Sequence, residues 1–146
     1  MLTTIFREIK FGSDTFHQEC ELRNEVLRRP IGRSLYDEDL ISENTQLHFG
    51  LFIAEDLVAC VIALPVSATE AKIRQMVVSH KNQAQGLGRI IIAHLESEMA
   101  RRGCTNFHLH SRISAAGFYQ KLGYVRVGPE FTEIGIPHVR MQKSLT

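Results

Sequence analysis

The sequence has few cysteines, and the ones present form no pattern. Cys20, Cys60 and Cys104 are far apart and odd in number, and there is no CxxC pair or cysteine and histidine cluster with zinc-site spacing. His108 and His110 share one face of a predicted strand but have no third ligand nearby. We therefore expect no disulfide scaffold, no metal site and a reducing, cytoplasmic environment.

An excess of one charge is also lacking. The chain has 17 Lys and Arg residues against 16 Asp and Glu residues, which leaves a net charge of +1. Nucleic-acid binding by bulk charge usually needs a strongly basic domain, so we expect no nucleic-acid partner. The longest apolar run covers residues 57–66 and contains Pro65. A membrane span needs about 20 apolar residues and the first residues do not resemble a signal peptide, so no membrane partner is expected.

Hydrophobic residues make up 44% of the chain, and no repeat, linker or low-complexity segment divides it. This composition predicts a single domain over residues 1–146 with a core of its own. Apolar patterning predicts strands at residues 3–10, 47–54, 57–67, 72–79, 105–110, 124–127 and 138–143, with residues 128, 129 and 135 between the last two.

Helical spacing begins at Ser13 or Asp14, as the N-cap, and breaks at Pro30. Residues 86–102 predict a long amphipathic helix and residues 114–122 a short one, while residues 32–44 predict a loop with a short helical turn. Hairpins early in the chain and helical crossovers late in it predict an α/β fold, in which helices cover a mixed sheet.

The most informative segment is the polar loop that precedes the long helix. Gly86 and Gly88 allow a ligand to approach the backbone, and the free N–H groups of the first helical turn favour an anion such as a phosphate. No Walker A or GxGxxG motif is present, so these two classes of phosphate loop are excluded. A structural alternative remains, in which Gly86 caps the helix and Gly88 allows close helix packing.

Residues 83–88, with the sequence QAQGLG, resemble the Q/R-x-x-G-x-G/A signature of the GCN5-related N-acetyltransferases, the GNAT superfamily. Residues 115–124, AAGFYQKLGY, resemble a second segment of that family, with Tyr119 at its tyrosine. The resemblance covers essentially the whole chain. It implies the acyl-CoA N-acyltransferase fold, in the order β-α-α-β-β-β-α-β-α-β-β, with a splayed parallel strand pair at its centre.

Two further segments narrow the resemblance. Residues 128–141, which contain the sequence GIPH, are similar to the ending of a bacterial GNAT subgroup that includes ElaA- and YjcF-like proteins. Residues 22–30 are similar to the start of that subgroup. Neither segment identifies an acceptor.

The resemblance implies a site for acetyl-CoA, which is a co-substrate, between the strands at residues 72–79 and 105–110. Main-chain groups of Met76, Val77 and Val78 are expected to bind the pantetheine arm, although core packing alone also explains their side chains. The pyrophosphate is expected on the loop, at Gln83, Ala84, Gln85, Gly86, Leu87, Gly88 and Arg89.

Tyr119 is expected to act as the general acid that protonates the departing thiolate. The general base is open. Many relatives have a glutamate where this chain has Lys72, and Arg74 shares the face of Lys72. The alternatives are Glu70 acting through water, His110, His138 or no protein base at all. We select His110 as the expected base.

The acceptor is expected to be the amine of a small molecule or peptide, and a homodimer is a candidate assembly. Asp37, Glu38 and Asp39, with Glu130 and Glu133, would suit a cationic amine, although a solvated loop also explains the first three. Arg23 and His48 would instead suit an anionic acceptor. The candidate substrate site therefore consists of Arg23, His48, Glu133 and His138.

Three functions are compatible with the sequence. An acetyl-CoA-dependent N-acetyltransferase is the first. A non-catalytic acyl-CoA-binding sensor or regulatory module is the second, because the strand glutamate is missing. The third is a nucleotide-binding protein of another fold that uses Gly86 and Gly88 for phosphate.

Overall fold

The computed structural model describes residues 3–146. Seven strands form one sheet in the order β1-β2-β3-β4-β5-β7-β6, and β4 and β5 are its parallel pair. The strands are β1 (Ile5–Ile9), β2 (Leu47–Ile53), β3 (Asp56–Pro65), β4 (Glu70–Val78), β5 (Asn106–Arg112), β6 (Val125–Glu133) and β7 (Ile136–Ser144). The helices are α1 (Asp14–Arg23), α2 (Leu87–Arg101) and α3 (Ala116–Lys121).

The helix α1 begins as the capping residues predict, because the Ser13 side chain accepts a hydrogen bond from the Phe16 N–H. The helix does not continue to Pro30 as a regular α-helix. A π-helical turn at Asn24–Arg28 and short 3-10 turns at Arg29–Ile31, Leu35–Asp37 and Ile41–Thr45 lead into β2. These turns occupy the place of the second helix in the expected order.

The two faces of the sheet are covered differently. On one face, the apolar stripe of α2, which includes Ile91 and Leu95, packs with Phe49 and Ile73 in the main core. On the other face, Leu22 of α1 packs against Cys60 and Val77. Since strand side chains alternate, the neighbours of Ile73 in β4 point away from α2 and toward the less densely covered face.

Two irregularities in β4 shape the centre of the sheet. Cys60 pairs with Val77 and Ile62 pairs with Arg74, so that β4 has one residue more than β3 in this interval. Gln75 lies in this bulge with a positive φ of 55°. On the opposite edge of β4, the parallel pairing with β5 ends at Ile73 and Leu109, and the two strands separate beyond that point.

Besides the early end of α1, the predicted strands and helices need a second correction, in the last hairpin. Gly128 and Pro129 do not connect the last two strands but lie inside β6. Because β6 is an edge strand whose register is irregular between Val127 and Phe131, a proline is tolerated there. The connection is the tight turn at Ile134 and Gly135, both with positive φ. No helix within residues 3–146 has the length and apolar character needed to cross a bilayer.

Candidate active site

A cavity of about 370 Å³ opens where β4 and β5 separate. Its wall includes Arg74 and Met76 from β4, and His110 and Arg112 from β5. Helix α3 contributes Tyr119, and the π-helical turn and the β6–β7 hairpin complete the wall. The cavity therefore joins residues from the first, middle and last parts of the chain at one break in the sheet.

His110 and Glu133 form a hydrogen-bonded pair on the cavity wall. The distance from His110 Nδ1 to Glu133 Oε1 is 2.9 Å. Because a carboxylate only accepts, Nδ1 carries the hydrogen, and the neutral ring keeps its lone pair on Nε2. Burial works to raise the pKa of Glu133, but the hydrogen bond that His110 donates and nearby positive charge, including that of Lys72, outweigh burial and lower that pKa. The pair has the base and the orienting carboxylate that proton abstraction needs.

His138 is the third member of this group. Its Nε2 lies 3.8 Å from Glu133 Oε2, and its Nδ1 donates to the carbonyl of Ile136 at 2.7 Å. His110, Glu133 and His138 are separate candidates in the sequence, and the register of β5, β7 and β6 brings them together.

Tyr119 lies on the cavity wall and is 7% exposed. Its ring packs edge-on against Phe118 and Tyr124. Burial raises the pKa of the Tyr119 phenol well above its ordinary value. The hydroxyl therefore stays protonated at neutral pH, which is the state that a proton donor needs.

The glycine loop leaves free N–H groups at the start of α2, and one of its glycines has a packing role. Gly86 is the N-cap of α2 with φ 77°, and the first hydrogen bond of the helix runs from the Ile90 N–H to the Gly86 carbonyl. The N–H groups of residues 87–89 therefore have no acceptor within the helix. A Cβ on Gly88 would come within 3.0 Å of Phe118, so the packing alternative holds for this glycine.

The expected pantetheine segment borders the gap. Val77 and Val78 pair with Cys60 and Ala59 of β3, while the other edge of β4 has no partner in β5 from Arg74 onward. Val77 is buried and packs in the core with Leu22 and Cys60, so its side chain is not available to a ligand.

Basic residues line the cavity to an extent that the sequence analysis did not predict. Lys72 and Arg74 lie on β4, and Arg112 donates to the Leu27 carbonyl at 2.9 Å. Arg28 forms an ion pair with Glu38 at 2.6 Å. The sequence signal for these residues was their alternation along two central strands, which indicates a shared face but not a cavity.

Arg23 and His48, two of the expected substrate residues, lie in a buried ionic network instead. Arg23 Nη1 donates to Glu19 at 2.9 Å, and both its terminal nitrogens donate to Glu43, at 2.9 and 2.7 Å. His48 Nδ1 contacts Glu19 at 2.8 Å, and Nε2 contacts the Glu43 carbonyl at 3.0 Å. Arg23 and His48 are only 0% and 1% exposed, so neither can touch an acceptor in this structure.

The hydrogen bonds of His48 require a charged ring. Both of its nitrogens face groups that only accept, so both must carry hydrogen. Burial works to lower the pKa of His48, but the hydrogen bond and charge of Glu19 outweigh it and raise that pKa. Glu19, Glu43 and His48 have ligand atoms within 4.8 Å of one another, as in a metal site. The Arg23 guanidinium already supplies a positive charge to the two carboxylates.

The other acidic candidates lie mostly elsewhere. Glu38 is on the cavity wall but is paired with Arg28, whereas Asp37, Asp39 and Glu130 are exposed and do not line the cavity. Glu70 approaches His108 at 2.6 Å and Arg140 at 3.8 Å, outside the cavity. A solvated loop therefore explains residues 37 and 39.

Curated relatives match this chain. The protein YyaT of Bacillus subtilis is 45% identical over 76 residues, 52% of this chain and 51% of the relative. The N-acetyltransferase YjcF is 37% identical over 73 residues, 49% and 52% of the two chains. YitI is 30% identical over 134 residues, 86% and 89% of the two chains. The chain spans about half the length of the first curated relatives it matches, and most of YitI.

Solved structures share the fold. Escherichia coli ElaA has a TM-score of 0.79 at 19% identity, covering 99% of this chain and 100% of that one. An aminoglycoside 6'-N-acetyltransferase complexed with coenzyme A has a TM-score of 0.80 at 18% identity, covering 97% of both chains. An acyl-CoA N-acyltransferase from Pseudomonas aeruginosa has a TM-score of 0.80 at 19% identity, covering 99% of this chain and 100% of that one. At identities below 25%, these TM-scores show the fold alone. The fold excludes the third function considered above, a nucleotide-binding protein of another fold.

The family profile described as Acetyltransferase (GNAT) domain matches residues 18–145. The sequence similarity to YjcF supports the YjcF-like subgroup that the terminal segments predicted, and ElaA shares the fold of this chain. The profile and the alignment with YitI each cover most of the sequence. The chain therefore belongs to the GNAT acetyltransferase family.

Proposed function

We propose that residues 1–146 form one N-acetyltransferase domain, which transfers the acetyl group of acetyl-CoA to the amine of a small molecule or peptide. The observation that carries this proposal is the cavity at the break between β4 and β5. It has the His110–Glu133 pair on β5 and the last hairpin, and Tyr119 on α3. A proton acceptor and a proton donor therefore border the same space.

The chain has the features that a coenzyme A derivative needs. The unpaired edge of β4 offers backbone groups to an amide-rich arm, as an added strand would. The N–H groups of residues 87–89 offer a site for phosphate at the start of α2. Acetyl-CoA, when bound, supplies an activated thioester carbonyl to the cavity.

The residues of the chain then handle the protons. His110 Nε2 takes a proton from the acceptor amine as the new N–C bond forms and the C–S bond breaks. Glu133 holds the ring in the tautomer that leaves Nε2 free and stabilises the positive charge that the ring gains. Tyr119 donates its phenolic proton to the departing thiolate. This assignment replaces the strand glutamate of many relatives, whose position is occupied by Lys72.

The non-catalytic module is the second candidate, and its one argument is that missing glutamate. The His110–Glu133 pair favours the enzyme, since a module that only binds needs no oriented base in its cavity. The deciding assay measures release of free thiol from acetyl-CoA in the presence of a panel of amines. Calorimetry with acetyl-CoA measures binding independently. Binding without thiol release for any amine would favour the module.

Tyr119→Phe tests the acid. The ring and its packing remain, and only the hydroxyl is lost. We expect kcat to fall by about 10²–10⁴-fold, and the affinity for acetyl-CoA to change by no more than about 1 kcal/mol. A fall in kcat without a rise in KM marks an interaction made mainly in the transition state.

Tyr124→Phe is the matched control. Tyr124 is a neighbouring buried tyrosine whose hydroxyl donates to Glu96 at 2.8 Å, away from the cavity. Its removal should lower stability and leave kcat near that of the parent. If Tyr119→Phe and Tyr124→Phe turned over alike under conditions where chemistry limits the rate, Tyr119 would be structural.

A further inference from the structure

The cavity contains two cations side by side on β4. Lys72 and Arg74 are two residues apart in the strand, so their side chains leave the same face of the sheet. Both line the cavity that contains His110. Within residues 3–146, no carboxylate lies within 4.0 Å of the Lys72 ammonium. Arg74 Nη1 donates a hydrogen bond of 2.6 Å to the side-chain oxygen of Gln46, which is a neutral amide.

The carboxylates around these cations are already engaged. Glu43, which lies 3.8 Å from Arg74, uses both oxygens for Arg23. Glu133 accepts from His110 at 2.9 Å. The other carboxylate on the cavity wall, Glu38, accepts from Arg28. Among residues 3–146, Lys72 therefore has no carboxylate in direct contact, and the carboxylate nearest to Arg74 is shared with Arg23.

The pKa values of Lys72 and Arg74 are both lowered. Burial lowers the pKa of Lys72, the positive charges of Arg74 and Arg140 act in the same direction, and Glu133 opposes them. Burial also lowers the pKa of Arg74, although Glu43 opposes the shift. An anion between the two side chains would remove the repulsion between them.

The phosphates of coenzyme A do not fill this role. The glycine loop follows β4, which ends at Val78, and its free N–H groups belong to residues 87–89. A strand rises about 3.3 Å per residue, so Val78 lies roughly 13 Å beyond Arg74 and 20 Å beyond Lys72. A pyrophosphate on the loop is therefore remote from the two cations, which lie toward the closed end of the gap.

We propose that the acceptor amine also carries a carboxylate or phosphate group, and that Lys72 and Arg74 bind this anionic group. The inference rests on the acetyl-transfer function proposed above and names its substrate class. Lys72 is in register with His108, two residues before His110 on the same strand face. An anion on the two cations therefore leaves an amine on a short linker within reach of the His110–Glu133 pair. In this arrangement Lys72 and Arg74 determine specificity, and His110 remains the proton acceptor.

Paired acceptors test the proposal in the thiol-release assay. O-phosphoethanolamine is compared with ethanolamine, β-alanine with β-alaninamide, and 1,3-diaminopropane represents a cationic acceptor. We expect at least one anionic member to exceed its neutral partner in kcat/KM by at least tenfold, about 1.4 kcal/mol. The phosphate and carboxylate arms show which anion the site prefers.

Variants locate the effect. Lys72→Met should lower kcat/KM for the preferred anionic amine by at least tenfold, mainly through KM, and change it for the neutral partner by no more than about twofold. Lys72→Arg should restore most of the loss, because the charge is kept. Lys10→Met, at an exposed lysine before α1, is the control and should match the parent for every acceptor.

The outcomes separate the two proposals. Equal use of the paired amines, or preference for the diamine, would overturn the anionic acceptor and leave acetyl transfer intact. If no amine releases thiol although acetyl-CoA binds, the proposed function fails. Calorimetry of O-phosphoethanolamine and β-alanine with the CoA-saturated protein then tests the anion site directly. Binding of either that Lys72→Met weakens at least tenfold supports the site, and absence of binding overturns it.

Discussion

Replacing Arg23 by methionine is expected to destabilise the protein by about 3–5 kcal/mol, because it leaves buried carboxylates without their main partner. Arg23 is 0% exposed, and three hydrogen bonds of 2.7–2.9 Å join its guanidinium to Glu19 and Glu43. Methionine keeps much of the apolar stem and removes the charge. His48 would still contact the Glu19 carboxylate, and Arg74, 3.8 Å from Glu43, would be the remaining cation beside that carboxylate.

The loss is measurable by urea and thermal unfolding followed by circular dichroism. For a chain of this size, each kcal/mol shifts Tm by roughly 2–4 °C, so Tm should fall by roughly 6–20 °C. The urea midpoint should fall without a change in m, since the variant exposes the same surface on unfolding.

Two further variants make the reasoning refutable. Arg29→Met removes an ion pair of 2.6 Å to Glu21, but these side chains are 58% and 50% exposed, and its effect should stay below about 1 kcal/mol. Adding Glu43→Gln to Arg23→Met should cost less than the sum of the two single changes, because the same contact is removed twice. If Arg23→Met were no more harmful than Arg29→Met, the buried network would not stabilise the fold.

Three other expectations follow from the structure. The pKa of His48 is higher in the folded than in the unfolded protein, where it is about 6.5. His48 therefore contributes its full stabilisation below about pH 6.5, and this stabilisation is lost as the pH rises through the pKa of the folded state. His48→Gln should make the free energy of unfolding less dependent on pH over this range. Gly86→Val should weaken acetyl-CoA binding in calorimetry by at least tenfold, about 1.4 kcal/mol. Gly12→Val, which also requires a positive φ (79°) but lies before α1, should leave that binding unchanged. Glu133→Gln should reduce kcat at least tenfold, roughly 1.4 kcal/mol in the barrier, by removing the carboxylate that orients His110, while exposed Glu130→Gln should not.

The order of strands and helices was largely predictable, because it depends on local patterns. The cap at Ser13 and the apolar stripe of α2 are both local signals, and both predictions are confirmed. The π-helical turn at Asn24–Arg28 was not predictable, since its extra residue leaves no mark in side-chain spacing. Pro129 was misleading for a related reason. A proline normally ends a strand, and its tolerance in β6 follows from the edge position of that strand.

The site was predictable in its parts but not in their contacts. His110 and Glu133 are 23 residues apart in the sequence, and their hydrogen bond depends on the register of three strands. Arg23 and His48 show the converse error. Their charge indicated ligand contact, but burial beside Glu19 and Glu43 assigns them to the interior. Of that network, only the four-residue spacing of Glu19 and Arg23 could be read from the sequence.

The buried network and the cavity are linked through Gln75. Its side chain accepts from Arg23 Nε at 3.4 Å, and its backbone, at φ 55°, forms the bulge of β4. The bulge keeps β4 paired with β3, where Val77 and Cys60 restore the ladder, while the pairing with β5 has ended at Ile73. A non-glycine residue with positive φ persists only where its surroundings hold it. Arg23, itself fixed by two carboxylates, is one such support on the α1 side of the sheet. The charges that the sequence analysis assigned to a substrate therefore lie behind the strand whose unpaired edge forms the cavity.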